Sequence, residues 1–552
     1  MQRCPSPLEG RWALVSVAIA CSPHVSAESG GDPAVDEVPW SGGTAAPAVR
    51  ARSESSASTG AEDRTDLLSS TAAGRAAVRG GALRVGGYAI GALVSAVGAA
   101  LLLRHLGVVD TGRYVTTMSL VAIVGALSDL GITAIGVREI AIRPPEERWP
   151  LARDLLGLRI TLTLVGGVAV IAIAWVAYSR VLAAGVALAI VGLLLQATQD
   201  NFAISLVVGL RLGWVAALDL MRQLLTTLSI ALLVLLGSRL LPFLGMSIPV
   251  GIVVLAVAIL LVRGARTLTP TFSWRRWRKF MSAILPYSVA VAASALYFRA
   301  SILLVSALSS GTQLGYFSAS FRVIEGLTVL PGLIVGSAFP IFARAARDDH
   351  ERLGYGLERV FEVSVIVGSW LAISIAVGAP LAIRIIGGAA FKPAATVLAI
   401  QGIGLGAMFV NCVWGYGLLS LGLYRQIMLT NTSALALDIV LVAPLVLVDG
   451  ARGAAIGTAA AEVVVGIVMA MALLRGRPQL RPSLCVLPRA ALAATLGLIP
   501  LALPVPSIAR ILISTALFAA VLLATRAFRA ELIDLLPKGR LGTWLGYGGG
   551  DP

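Results

Sequence analysis

Uninterrupted apolar stretches of about 20 residues recur from Gly80 almost to the end of this 552-residue chain, and they decide its fold class. An α-helix rises 1.5 Å per residue, so each stretch can cross a hydrocarbon core about 30 Å thick. Hydrophobic residues make up 57% of the chain and charged residues 13%, about half the charge a water-facing surface carries. A soluble multidomain enzyme is excluded. So is a membrane β-barrel, whose strands would alternate polar and apolar residues. The predicted class is an all-α polytopic membrane protein.

Fourteen helices are expected. They cover about Ala82–Leu103, Tyr114–Val137, Leu155–Tyr178, Val181–Val208, Trp214–Leu236 and Phe243–Val262, then Ile284–Leu308, Leu314–Phe342, Phe361–Ile386, Ala394–Leu421, Ile427–Val448 and Ala454–Leu474. Leu487–Leu503 and Ile508–Thr525 form a final pair, and the count falls to twelve if that pair is peripheral. The division that follows is an extension over 1–75, a first six-helix lobe over 76–265, a basic connector over 266–283, a second six-helix lobe over 284–475, and a last pair with a tail over 476–552. Cations cluster in alternate loops, at Arg138, Arg143, Arg148 and Arg153, at Arg275, Arg276, Arg278 and Lys279, and at Arg475, Arg477 and Arg481. Positive-inside reasoning then puts both termini in the cytoplasm.

The net charge of +15 therefore reads as orientation signal, and no nucleic-acid partner is expected. Cys4, Cys21, Cys412 and Cys485 are far apart, as are His24, His105 and His350, so no metal, haem or iron–sulfur cofactor is expected. No nucleophile–base pair or phosphate-binding loop occurs, and an enzyme is not expected. In the extension, Trp12–Cys21 has the length of a signal-peptide core, and Glu28–Thr65 has the composition of a disordered segment.

Two pieces of the chain echo each other. Leu106–Tyr114 (LGVVDTGRY) leads into the second segment, and Gly311–Tyr316 (GTQLGY) leads into the eighth. The stretch Leu102–Ala141 resembles the N-terminal signature of polysaccharide-biosynthesis flippases of the Wzx type. The matching residues are Arg104, Leu106, Gly107, Gly112 and Tyr114, then Asp129, Leu130 and Gly131. Leu314–Ala346 is similar to that family's second-half helix. The resemblance covers roughly Gly80 to Arg540. It implies two six-helix lobes around a cavity, as in MATE-type multidrug exporters and lipid II flippases. It also implies transport of undecaprenyl-pyrophosphate-linked oligosaccharide between the leaflets of the bacterial inner membrane, alongside glycosyltransferases and a polymerase.

A charge at the centre of a membrane helix costs about 2.5–3.5 kcal/mol on insertion scales, so each such residue requires a partner, water or ligand. Asp129, Asp219, Arg222, Arg299, Arg322, Glu325, Glu362, Asp438 and Glu462 lie inside the segments. Asp219 with Arg222, and Arg322 with Glu325, are three residues apart on one face, the spacing of an ion pair. Arg299 has no acid at helical spacing and is expected to face a wet cavity. Under the resemblance, Arg299 and Arg322 are the expected pyrophosphate cradle, since the guanidinium fork grips phosphate oxygens in pairs. Arg222 is a further cavity candidate. Arg84 and Arg104 flank the first segment, where they serve either a headgroup or the membrane interface. Asp129, Glu325 and Glu362 are candidates for coupling to an inward ion.

Sugar-reading candidates are Gln196, Gln199, Asn201, Gln401 and Asn411, with Tyr287, Tyr297, Trp370, Trp414 and Tyr416 as stacking surfaces; packing and interhelical hydrogen bonding explain the same residues. Two rivals share the implied fold. A multidrug exporter for lipophilic cations would need an acidic cavity, and a lipid II flippase has the same charge requirement as the first reading.

Overall fold

The computed structural model describes residues 71–209, 211–262, 269–475 and 477–525. The expectations for the signal-like core, the disordered stretch and the basic tail fall outside these residues. Among the described residues every regular element is helical. In a bilayer each backbone N–H and C=O must bond within its own segment, and helices do this.

The helices are α1 Thr71–Asp129, α2 Ile132–Ile142, α3 Pro145–Ala177, α4 Arg180–Val208, α5 Leu212–Leu235, α6 Leu240–Gly245, α7 Ser247–Val262 and α8 Trp274–Leu308. There follow α9 Gly311–Leu327, α10 Val329–Gly336, α11 Phe339–Asp348, α12 His350–Ile386, α13 Ala394–Ser420, α14 Tyr424–Leu474, α15 Val486–Gly497 and α16 Ser507–Ala524. Eleven helices among the described residues are long and apolar enough to cross a membrane, and Val486–Ala502 is a shorter apolar stretch.

The expected fourteen segments differ from this mainly at two joints. α1 runs through the loop expected after Leu103 and bends at Gly107, whose φ of 70° requires glycine. α14 runs through the loop expected after Val448 and breaks at Asp449 and Gly450, with φ 53° at the glycine. There the chain turns back on itself, because a methyl group on Gly453 would collide with the carbonyl oxygen of Leu445. The expected boundary of the basic connector also moves. Its second part is about the first three turns of α8, because Trp277 is 7% exposed while Arg275, Arg276 and Arg278 point outward, an amphipathic pattern at helical period. α12 begins eleven residues earlier than expected for a related reason. The Asp349 side chain accepts from the Arg352 N–H at 2.8 Å and caps the helix start.

α1 packs against α3, α4 and α5, and α4 against α7; α8 packs against α14, α12 against α13, and α13 against α14. These two sets meet along α1, which also lies against α8, α9 and α12. α15 and α16 pair with each other on the flank of α12. Val176, Leu235 and Val448 are more than four-fifths exposed; such residues are misplaced in water and at home against acyl chains. The chain is a multi-pass membrane protein.

Candidate functional site

Three groups of charged side chains lie inside the apolar helices. The first sits on α8 and α9. Arg299 Nη2 donates to Glu325 Oε1 at 2.5 Å, and Arg322 Nη1 donates to Glu325 Oε2 at 2.7 Å. The expected Arg322–Glu325 pair is present. The expectation that Arg299 has no partner is corrected: its acid lies on the next helix, 26 residues away. The Arg299 guanidinium also lies 5.3 Å from the Phe298 ring and 5.5 Å from the Phe321 ring, a cation–π arrangement that offsets part of its desolvation. One carboxylate shared by two guanidiniums leaves a net charge of +1. Arg322 retains 43% side-chain exposure against 17% for Arg299, so the excess charge is presented at Arg322. Tyr114 of α1 stands within electrostatic reach of Arg322 and Glu325, which places this group on the seam where α1 meets the second set of helices.

The second group lies among α1 to α5. Asp129 Oδ1 accepts from Arg159 Nη2 at 2.9 Å and from the Thr133 hydroxyl at 2.5 Å. Arg159 also reaches Asp200 at 3.7 Å, and Asp200 pairs with Arg222 at 3.8 Å. Arg222 donates to Gln199. Two acids and two arginines cancel. This group ties α1, α3, α4 and α5 together and has no surplus charge to offer a ligand. Arg222 and Asp129, expected in the cavity and in ion coupling, are both engaged here.

The third group is acidic. Asp438, with no exposed surface, accepts from the Ser301 hydroxyl at 3.0 Å, and Ser301 in turn lies 3.0 Å from the Thr458 hydroxyl. Glu462 accepts from the Tyr297 hydroxyl and from Asn411 Nδ2, each at 2.7 Å. The second Asp438 oxygen, Oδ1, and the amide oxygen of Gln401 are buried without a hydrogen-bond partner. Both residues line a cavity of about 50 Å3 between α8, α9, α13 and α14, room for about three or four waters. The lining includes both carboxylates and neither Arg299 nor Arg322. This hollow is therefore an acidic pocket and not the guanidinium-lined one expected; the Arg299 guanidinium lies against Phe298 and Phe321, two rings of its lining.

The remaining expected residues are placed as follows. Glu362 pairs with Arg359 at 2.8 Å. Arg104 donates to the carbonyls of Arg384 and Ile385 at the end of α12, at 3.3 and 2.7 Å. The side chains of Arg84 and Tyr287 lie outside the described set. Asn201 donates to the Ala152 carbonyl at 3.2 Å, Trp414 is buried beside Phe361, and Trp370 lies 3.4 Å from the Thr515 hydroxyl. Of these aromatics, Tyr297 alone lines the acidic pocket. Arg159 and Asp200 were passed over in the sequence. Asp200 was legible, since it lies in the polar run QATQDN inside an apolar helix.

Residues 77–346 match the family described as "Polysaccharide biosynthesis protein". No curated protein matches the chain. Among solved structures, "Lipid II flippase MurJ, inward closed conformation" superposes with a TM-score of 0.64 at 15% identity, over 82% of this chain and 99% of that one. An "Inward-facing conformation of a multidrug resistance MATE family transporter of the MOP superfamily" superposes with a TM-score of 0.50 at 14% identity, over 70% and 94%. At these identities the likeness is one of fold.

Proposed function

We propose, for a chain whose residues 77–346 match a polysaccharide-biosynthesis family and whose fold resembles that of a lipid II flippase and a MATE transporter, a flippase for pyrophosphate-linked oligosaccharide lipids. It would act in the bacterial inner membrane, with both termini inside and the helices before and after the connector moving as two lobes. The observation that carries this reading is the Arg299–Glu325–Arg322 group on the seam beside α1. A diphosphate is an anion with several oxygens, and a guanidinium with unfilled donors and a surplus positive charge is its complement. The sign at this group is the opposite of what a site for lipophilic cations needs, whereas the acidic pocket between α8, α9, α13 and α14 has the sign such a site needs and is the observation that favours the exporter as a second reading. Moving negative charge outward across an inside-negative membrane is favourable by about 2.3 kcal/mol per charge per 100 mV. Deleting the gene is expected to stop surface polysaccharide and to leave the lipid-linked oligosaccharide accumulating in the cell. Arrest of peptidoglycan synthesis instead would establish the lipid II reading, and drug sensitivity alone the exporter reading.

The acidic pocket suits the coupling step. Two buried carboxylates without a guanidinium in their pocket require a proton or a small cation to be accommodated in apolar surroundings. Glu325 is already neutralised by two arginines, so nothing is left there for a proton or cation to balance. Asp438 and Glu462 therefore replace Asp129, Glu325 and Glu362 as coupling candidates. Asp438→Asn and Glu462→Gln are expected to slow transport in proteoliposomes about tenfold when a proton or sodium gradient drives it, while leaving abundance near wild type. Unaltered gradient dependence in both variants would remove the pocket from the mechanism.

A further inference from the structure

We propose that Arg104 is a latch that holds the two sets of helices shut at the end of the bundle where α1 bends, the outer end in the orientation proposed above. The bend at Gly107 brings the preceding turn of α1 onto helices of the other set. Leu103 is 1% exposed and is packed in one cluster with Ala379 and Ile383 of α12, Phe391, and Leu398 of α13. Arg104, the next residue, sends its guanidinium to the last turn of α12 and donates to the Arg384 and Ile385 carbonyls.

The chemistry of this contact is specific. The final carbonyls of a helix lack intrahelical donors and carry the negative end of its dipole. Gly388 N–H already donates to Arg384, at 3.2 Å, while Arg104 supplies the donor for Ile385 at 2.7 Å. A cation on a helix C-terminus, contributed by a helix of the opposite set, is a bond that exists only while the two sets are together at this end.

Another polar bond joins the two sets at this end, from the Ser306 hydroxyl of α8 to the Tyr178 hydroxyl just after α3, at a longer 3.3 Å and without a charge. After the bend, a methyl group on Gly315 of α9 would collide with the carbonyl oxygen of Val108, and one on Gly112 would lie 2.9 Å from Leu314. These are close backbone approaches that add shape but no polar bond. At the opposite end of the bundle the two sets meet through a different bond, from the Ser288 hydroxyl of α8 to the Leu130 carbonyl at 2.9 Å. Alternating exposure of a site on the seam requires the Gly107 end to part. Arg104 and the α12 terminus, both already exposed, then lose each other and are left to solvent. Gly107, free to adopt other φ values, is placed to absorb the movement.

The test measures distance and needs no substrate, so it stands whether or not the flippase reading does. Arg180, at the start of α4, and Lys392, just beyond α12, are both exposed and lie at the same end of the bundle as Gly107. Nitroxide labels on Arg180→Cys and Lys392→Cys, in the full chain with its four cysteines replaced by serine and held in nanodiscs, report separation by pulsed electron resonance. Arg104→Ala is expected to raise the longer-distance population about two- to fivefold, the range a helix-end cation supplies. Arg104→Lys keeps a charge that reaches one carbonyl and is expected to fall between. An unchanged distance distribution in Arg104→Ala overturns the latch. So does a loss of surface polysaccharide in Arg104→Ala with no change in distances, which would make Arg104 a ligand-binding residue instead.

Discussion

Arg299→Ala is expected to lower surface polysaccharide at least tenfold while the protein stays at wild-type abundance; Glu325→Gln is expected to lose the protein itself. The asymmetry follows from the shared carboxylate. Without Arg299, Glu325 is still paired with Arg322 at 2.7 Å, so no buried charge is left alone and the helices assemble. What is lost is the surplus positive charge: Glu325 then neutralises Arg322 alone, and an anionic headgroup meets a neutral pair where it met a net charge of +1. Without the Glu325 charge, two guanidiniums face each other in apolar surroundings with no counterion. Removing one partner of a buried ion pair costs about 3–5 kcal/mol. Immunoblots of membranes beside quantified surface polymer separate the two outcomes. Normal polymer from Arg299→Ala at normal abundance would take Arg299 out of the site.

A second large effect is expected at two glycines of α14, Gly453 and Gly457. A methyl group on Gly453 has no space against the Leu445 carbonyl, and one on Gly457 would lie 2.8 Å from the Val442 Cα. Both obstacles are backbone, which cannot rotate away as a side chain can. Gly453→Ala should therefore force the two arms of α14 apart, at about 3 kcal/mol or more, and sharply reduce the folded protein recovered in detergent. Gly457→Ala is the milder change, and its effect should centre on transport. Asp438 lies on one arm and Thr458 on the other, joined through Ser301, so a small separation breaks that chain of bonds. Full activity and stability in both variants would mean that the close approach of the arms is dispensable.

The fold was largely legible in the sequence because apolar length is a local property. So was Arg322 with Glu325, since three residues of separation on a helix places two side chains together wherever the helix goes. The Arg299–Glu325 bond, 26 residues apart, depends on how α8 and α9 cross, and no spacing rule reaches that far. The acidic pocket failed for the same reason in a different form. Asp438 and Glu462 were visible as charges inside helices, but their hydroxyl and amide partners Ser301, Tyr297 and Asn411 come from other helices. The partner of Arg104 was not legible, because nothing near it in the chain shows that the end of α12, 280 residues away, lies beside it. The joints in α1 and α14 were legible where expected, after Leu103 and after Val448; what composition does not announce is that each is a break at one or two residues, Gly107 and Asp449–Gly450, and not a loop.

The bend in α1 makes that turn a phase reference for the helix beyond it. One residue beyond Gly107, the Val108 carbonyl abuts Gly315, and two helical turns on, Tyr114 stands within electrostatic reach of Arg322 and Glu325. A single added residue there would roll the following helix by about 100° and slide it 1.5 Å, turning Tyr114 off the seam and bringing a side chain where only Gly112 fits. A turn between two membrane segments is ordinarily where a membrane protein accepts an epitope tag or a sequence drift in length. This one carries the angular setting of the wall that faces the arginines, and it should be as intolerant of insertion as the packed interior.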